Sequence, residues 1–248
     1  MSALAWFSCC DSVLTKIRET QQEAIRSAAS LIADTLAASG ALHFYDNGHC
    51  PGEPIGRAGG LMAIHPISPS LSISHPAPPQ HQEKLKQRGP SHLRRSQQLG
   101  RIAVEQSNML PGDCLIIMSV SGRNPLPVEM AIAAREIGVK VIAITSLAYS
   151  QTVESRHPSG KRVFEAADIV IDNCGIPGDA TIEIGGLEAR VGPTSGVAGC
   201  YIMWALTCEL VRQLVDRGLR PSIFKSINLP DGEEFNARVR QKYLETGL

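Results

Sequence analysis

Net charge is the first thing this sequence lacks. Its 248 residues carry 24 Lys and Arg against 24 Asp and Glu, so no bulk field is available to hold nucleic acid, although a local basic pocket stays open. Long apolar runs are missing as well. Nothing reaches the roughly 20 residues of a membrane span, and the start, Met1 to Cys10, has no positively charged leader. The seven cysteines, at 9, 10, 50, 114, 174, 200 and 208, contain no C-x-x-C pair. They read as small buried hydrophobes in a reducing, cytoplasmic setting. The seven histidines include no H-E-x-x-H or other ligand spacing, so no metal is expected. No G-x-G-x-x-G follows a predicted strand and no G-x-x-x-x-G-K-[ST] occurs, which argues against a dinucleotide or P-loop nucleotide fold and leaves no cofactor expected.

What is present is organised around Cys114 to Glu129. Leu115, Ile116, Ile117 and Met118 form an apolar run without alternation, the pattern of a parallel strand covered on both faces. Ser119, Ser121, Gly122 and Asn124 then form a hydroxyl-rich turn, with Asn124 placed to cap a helix and Pro125 at its first position. Such a turn offers hydroxyls, free N–H groups and a positive helix end to an anion, above all a phosphate.

Elsewhere the spacing predicts one long amphipathic helix over Asp11 to Gly40, stopped by Gly40, then a strand Ala41 to Tyr45. That strand opens into Asp46 to Gly52, where Asn47 and Gly48 are either an ordinary turn or a second place for backbone to wrap an anion; Glu53 and Arg57 would begin a helix. Residues 65–96, rich in Pro, Ser and His and then basic at Lys84, Lys86, Arg88, Arg94 and Arg95, read as an irregular excursion within a single domain. Gln97 to Gln106 and Val128 to Gly138 read as helices, and Lys140 to Thr145 and Asp168 to Asp172 as further strands. Thr145 and Ser146 place hydroxyls at a strand end. A small β excursion is expected over 175–191, containing Ile182 and Ile184. A helix over Val197 to Arg217 should follow, with Tyr201, Ala205, Cys208, Val211 and Val215 on one face. Thr194 or Ser195 either caps that helix or also reaches the phosphate. A last helix, with Asp231 and Glu234 at capping-box spacing, should pack on a neighbour or cover the site. The alternation predicts an α/β fold, a doubly wound, mainly parallel sheet flanked by helices, with ligands beyond the strands' carboxyl ends. His157, in Ser155 to Lys161, is either a surface histidine or a proton carrier.

Ser119-x-Ser121-Gly122-x-Asn124 after a buried strand resembles the phosphosugar-binding turn of the sugar isomerase (SIS) domain. With Met118 to Met130, Val141 to Ser146, Ser155 to Lys161 and Val191 to Ser195, the chain is similar to a bacterial single-domain subgroup of phosphosugar isomerases and N-acetylglucosamine-6-phosphate dehydratase-like proteins. The resemblance implies a sugar phosphate ligand surrounded by Gly48, Ser119, Ser121, Thr145 and Ser146, and a homodimer or homotetramer with sites near subunit interfaces. From the charge balance and the lack of long apolar runs, no nucleic-acid or membrane partner is expected. One segment departs from the family pattern: His49 to Gly56 is shortened, and Cys50 stands where a serine is expected, while Glu53 keeps its spacing four before Arg57.

Isomerisation and dehydration both start by removing the C2 proton of an open-chain aldose phosphate. That step needs a base poised near neutrality, an acid for the oxygen and a fixed phosphate. Glu53 is the candidate base, since desolvation raises a carboxylate towards working pH. His157, or else His49, is the candidate acid. The alternative from another class is a non-catalytic phosphosugar sensor.

Overall fold

The computed structural model describes residues 1–50, 52–86 and 91–248; Arg88 of the basic cluster lies outside them. In chain order the elements are α1 (Ser2–Thr20), α2 (Gln22–Ala37), β1 (Leu42–Asp46), β2 (Ile64–Pro66), α3 (Pro79–Lys86), α4 (Ser91–Glu105), β3 (Cys114–Met118) and α5 (Pro125–Glu136). There follow β4 (Lys140–Thr145), α6 (Leu147–Ser150), β5 (Ile169–Asp172), β6 (Ala180–Ile182), β7 (Val191–Pro193), α7 (Ser195–Asp216) and α8 (Gly232–Thr246). Five strands pair in parallel in the order β2-β1-β3-β4-β5, and β6 and β7 form a separate antiparallel pair.

Alternation of side chains across β3 and β4 builds two cores, one on each face. Cys114, Ile116, Met118, Ile142 and Ile144 pack with Ile32 and Leu36 of α2 and Ile202, Leu206 and Leu210 of α7. Leu115, Ile117, Val141 and Ala143 pack with Val128, Met130 and Ala134 of α5 and Val104 of α4. The sheet is thus doubly wound, as the sequence predicts. The chain leaves β1 outward to β2 and returns past it to β3, so the strand order reverses between β1 and β3. In open α/β sheets that reversal opens a crevice beyond the carboxyl ends. No helix among the described residues is long and apolar enough to cross a membrane.

Several expectations change. The long first helix is two, broken at Gln21 (φ −109°, ψ 6°), where the side chain turns to accept the N–H of Asp172 at 2.9 Å. Ser39, not Gly40, takes the left-handed conformation that ends α2 (φ 64°). Gly40 is needed for space, since a Cβ there would lie 2.9 Å from Thr35 Cγ2 and 3.1 Å from the Gly112 carbonyl. No helix follows β1: residues 52–60 are turns with Gly56 and Gly59 at positive φ, pinned by Gly59 N–H to Phe224 O at 2.8 Å and Phe224 N–H to Gly60 O at 3.0 Å. The segment 65–96 is not irregular throughout, since it holds most of β2, all of α3 and the start of α4. Ile184 lies outside β6. In α7 the buried face is Ala198, Ile202, Leu206, Leu210 and Leu214, whereas Tyr201, Cys208 and Val215 are exposed. A helix apolar nearly all round does not announce its inner side. Asp231 precedes α8 with φ 59° and no side-chain cap; its carboxylate instead takes Lys225 Nζ at 2.6 Å.

α8 packs Tyr243 against the first core and joins its hydroxyl to His65 Nε2. Burial, and then the neighbouring His43, hold His65 below its ordinary value against the opposite pull of Asp113. The unfolded chain therefore takes up this proton first, near pH 6.5. Stability complete above that pH is expected to fall as pH drops towards the lower folded value. Urea midpoints at pH 7.5 and 5.5 should differ in the wild type and converge in His65→Gln; an unchanged difference would rule His65 out as its source. Asp113 titrates in a separate, more acid window: burial raises it, but the N–H of Ala41, His43 and the N–H of Leu110 outweigh burial and hold it below the usual carboxylate range.

Candidate functional site

The turn after β3 is held by its carbonyls, which leaves its N–H groups over. Val120 O accepts Ser146 N–H at 3.0 Å, Gly122 O accepts Val163 N–H at 2.8 Å, and Arg123 O accepts Arg156 N–H at 3.0 Å. The backbone N–H groups of Val120, Ser121, Gly122, Arg123 and Asn124 make no hydrogen bond among the described residues. Buried Ser119 Oγ and Arg123 Nε are also without partners among them. Gly122 is required by conformation and by space: φ is 59°, and a Cβ would meet Ser150 Oγ at 3.0 Å and Thr145 Oγ1 at 3.2 Å. Asn124 is the N-cap of α5 by position (φ −75°, ψ 145°) with Pro125 in the first turn, but its side chain makes no capping bond. Consecutive free N–H groups at a helix start make an anion-binding concavity.

The other turns on the same edge are filled by the protein's own acceptors. Asp46 accepts the N–H groups of His49 and Cys50, each at 3.0 Å. Asp172 Oδ1 accepts those of Leu147 at 3.0 Å and Cys174 at 2.9 Å, and Asn173 Oδ1 accepts that of Gly175 at 3.0 Å. At the start of α7, Asp179 Oδ1 accepts Thr194 N–H at 3.1 Å and Ser195 N–H at 2.9 Å. Gly48, Gly196 and Val197 keep single N–H groups, but of these turns the serine turn is the one with a whole run of five unspent among the described residues.

Thr145 Oγ1 donates to Val120 O at 2.9 Å and Ser146 Oγ to Gly175 O at 2.7 Å, so both hydroxyls have their protons already committed. Ser195 Oγ donates to Asp179 Oδ2 at 2.5 Å; Thr194 Oγ1 is buried and unpartnered among the described residues. Asn47 is fixed by Tyr45 Oη at 3.0 Å, and Gly48 (φ 92°) has open space where a side chain would be. His157 is neither a surface histidine nor a free proton carrier. Its Nε2 lies 2.6 Å from Glu129 Oε2 and its Nδ1 2.7 Å from Ser159 Oγ, so both ring nitrogens are spent. His49, by contrast, comes to the α7 start, with Nδ1 3.2 Å from Ser195 Oγ. Glu53 is half-buried, with Oε2 2.7 Å from Arg57 Nη1, on a turn and not in the desolvated helix start expected for it. Cys50 is buried with Sγ 3.1 Å from Cys200 Sγ of α7, and all seven cysteines are free thiols. Asp46, Asp172 and Asp179 escape a sequence reading focused on hydroxyls. Their signal is position: two are strand ends and the third precedes a strand.

The family model described as SIS domain matches residues 5–146, a span that includes the serine turn. A UPF0309 protein of Halalkalibacterium halodurans is 36% identical over 94% of this chain and 94% of its own. A UPF0309 protein of Streptomyces griseus is 36% identical over 96% of this chain and 93% of its own. Among solved structures, a phosphoheptose isomerase from Neisseria gonorrhoeae superposes with a TM-score of 0.51 at 17% identity, covering 84% of this chain and 96% of that one; at that identity it speaks to the fold alone. With the strand order reversing between β1 and β3 and the SIS profile running through the loops that follow both, the chain belongs to the SIS domain family, among its UPF0309 proteins.

Proposed function

We propose that this protein binds an amino sugar 6-phosphate in open-chain form and removes its C2 proton, leading to isomerisation or elimination. The observation that carries the reading is the run of unspent N–H groups from Val120 to Asn124, beside unpartnered Ser119 Oγ. A phosphate is the ligand whose oxygens use such donors, and the α5 start adds a favourable dipole. Asn47 and Gly48 face the sugar across the strand-order reversal. Glu53 is the base. His49 is the acid or ring-opening group, because His157 has no free ring nitrogen. A homodimer or homotetramer belongs to the same proposal.

The test is a proton NMR time course in deuterated water with hexose and amino sugar 6-phosphates, N-acetylglucosamine 6-phosphate among them. Loss of the C2 proton signal is expected, and the product, ketose or unsaturated sugar, chooses the reaction. No exchange with any substrate, alongside saturable phosphate-dependent binding, would favour the sensor. The half-buried, ion-paired setting of Glu53 is the observation on that side. Ser121, whose hydroxyl is unbonded among the described residues, supplies a further check. Ser121→Ala should weaken sugar phosphate binding by about 1.5–3 kcal/mol, read by titration calorimetry, with little change for the unphosphorylated sugar. Equal affinity of wild type for the free sugar and its 6-phosphate would remove the anchor.

A further inference from the structure

We infer that Asp179 is a positioning residue which, acting through Ser195, fixes the tautomer of His49 and so selects the ring nitrogen that exchanges protons with a ligand. The inference rests on the reading of His49 as the proton carrier and adds the group that sets it.

A serine hydroxyl has a single hydrogen. In Ser195 it points to Asp179 Oδ2 at 2.5 Å, and the same carboxylate is locked in place because its other oxygen accepts the N–H groups of Thr194 and Ser195 at 3.1 and 2.9 Å. Ser195 Oγ can then only accept from His49 Nδ1, 3.2 Å away. The hydrogen on Nδ1 is therefore present in the neutral ring as well as in the charged one. The proton that His49 gains and gives up is the one on Nε2, which makes no hydrogen bond among the described residues.

Two further contacts hold the ring's backbone in place. Asp46 Oδ1 takes the His49 N–H at 3.0 Å, and the Cβ of any residue replacing Gly196 would lie 3.0 Å from the His49 carbonyl, so the loop rests directly on the first turn of α7. His49, Ser195 and Asp179 come from three separate segments, the β1 loop, the start of α7 and the residue before β6. A carboxylate needed only as a helix cap is satisfied by the two backbone N–H groups. The bond to Ser195 Oγ, and its continuation to a histidine, are what a cap does not require.

The decisive measurement is the tautomer of His49 by long-range nitrogen–proton NMR on the full chain without ligand, in wild type, Asp179→Asn and Ser195→Ala. Wild type is expected to show Nδ1 protonated and Nε2 bare at high pH. Asp179→Asn frees the Ser195 hydrogen and Ser195→Ala removes the acceptor, so both should move the neutral ring towards the Nε2-protonated form. Ser195→Ala keeps the backbone cap by Asp179 intact, which guards against a variant that fails to fold. With an active substrate in hand, Asp179→Asn should lower the rate constant of C2-proton exchange about 10²-fold, the scale of a misplaced catalytic group, with KM changed far less. A wild-type ring protonated on Nε2, or a tautomer indifferent to both substitutions, would reduce Asp179 to a helix cap and overturn the inference. If the tautomer shifts as described while no sugar phosphate exchanges its C2 proton, the positioning of His49 by Asp179 stands and the proposed reaction fails.

Discussion

Glu53→Gln is expected to lower C2-proton exchange by about 10²–10⁴-fold, the range attributed to a positioned general base, while sugar phosphate affinity stays within several-fold. The substitution keeps the shape of the side chain and an oxygen that can still accept from Arg57, now 2.7 Å from Glu53 Oε2. It removes the charge that would take the proton. The fold gives little reason for side effects, because the Glu53–Arg57 pair is partly exposed and such pairs contribute about 0–1 kcal/mol. The turn itself is tied down elsewhere, by Gly59 and Gly60 to Phe224 and by Met62 to Ser222. A loss of exchange with intact phosphate binding therefore isolates chemistry from folding. Near wild-type exchange in Glu53→Gln would pass the base to another group; lost binding would make Glu53 a ligand contact.

Glu129→Ala is expected to be the most destabilising single change near the site, by about 3–5 kcal/mol for removing a buried carboxylate from its hydrogen-bonded partners. Glu129 lies on α5 just beyond the serine turn, with its side chain 4% exposed. It accepts from Gln97 at 2.9 Å and Arg101 at 2.6 Å on α4, and pairs with His157 at 2.6 Å. Burial pushes its carboxyl up, but Gln97, His157 and Arg101 together outweigh burial and hold it below the usual carboxylate range. Its contribution is thus complete above the ordinary carboxylate pKa and lost as acid takes the pH down through the folded value. Arg101 keeps a second partner in Glu136 at 2.8 Å, so most of the cost falls on His157, also 4% exposed, left without its acceptor. Thermal unfolding should drop by roughly 6–20 °C for a chain of this size. The double variant Glu129→Ala/His157→Ala should cost less than the sum of the single ones. Strict additivity would mean that the two do not act as a pair, and the assignment of His157 to a structural role would go with it.

The sequence was most informative where a function depends on neighbours in the chain. Leu115 to Met118, the hydroxyls at 119 and 121, Gly122 and the Asn124-Pro125 helix start sit in one run, so strand, turn and helix could be read together, and the structure has them in that order. Parallel strands with covered faces followed from unalternated apolar runs in the same way. Residue type alone does not say which hydroxyl keeps its proton, because a Ser or Thr at a strand end can spend it on a nearby carbonyl: Thr145 and Ser146 do so, and Ser121 does not.

Tertiary structure alone decided which donors remain free and which histidine is available. His157 meets Glu129 across 28 positions and His49 meets Ser195 across 146; no local pattern records either encounter. The same holds for the helix break at Gln21, whose side chain bonds the backbone of β5 across 151 positions, and for the inner face of α7, set by what packs on it. A hydrogen bond is a property of two groups, and the sequence displays only one of them at a time unless they are close along the chain. The donors of the serine turn were therefore written in the sequence, while their being left unbonded, as Asp46, Asp172 and Asp179 took up donors of the neighbouring turns, arose only when the strands were brought side by side.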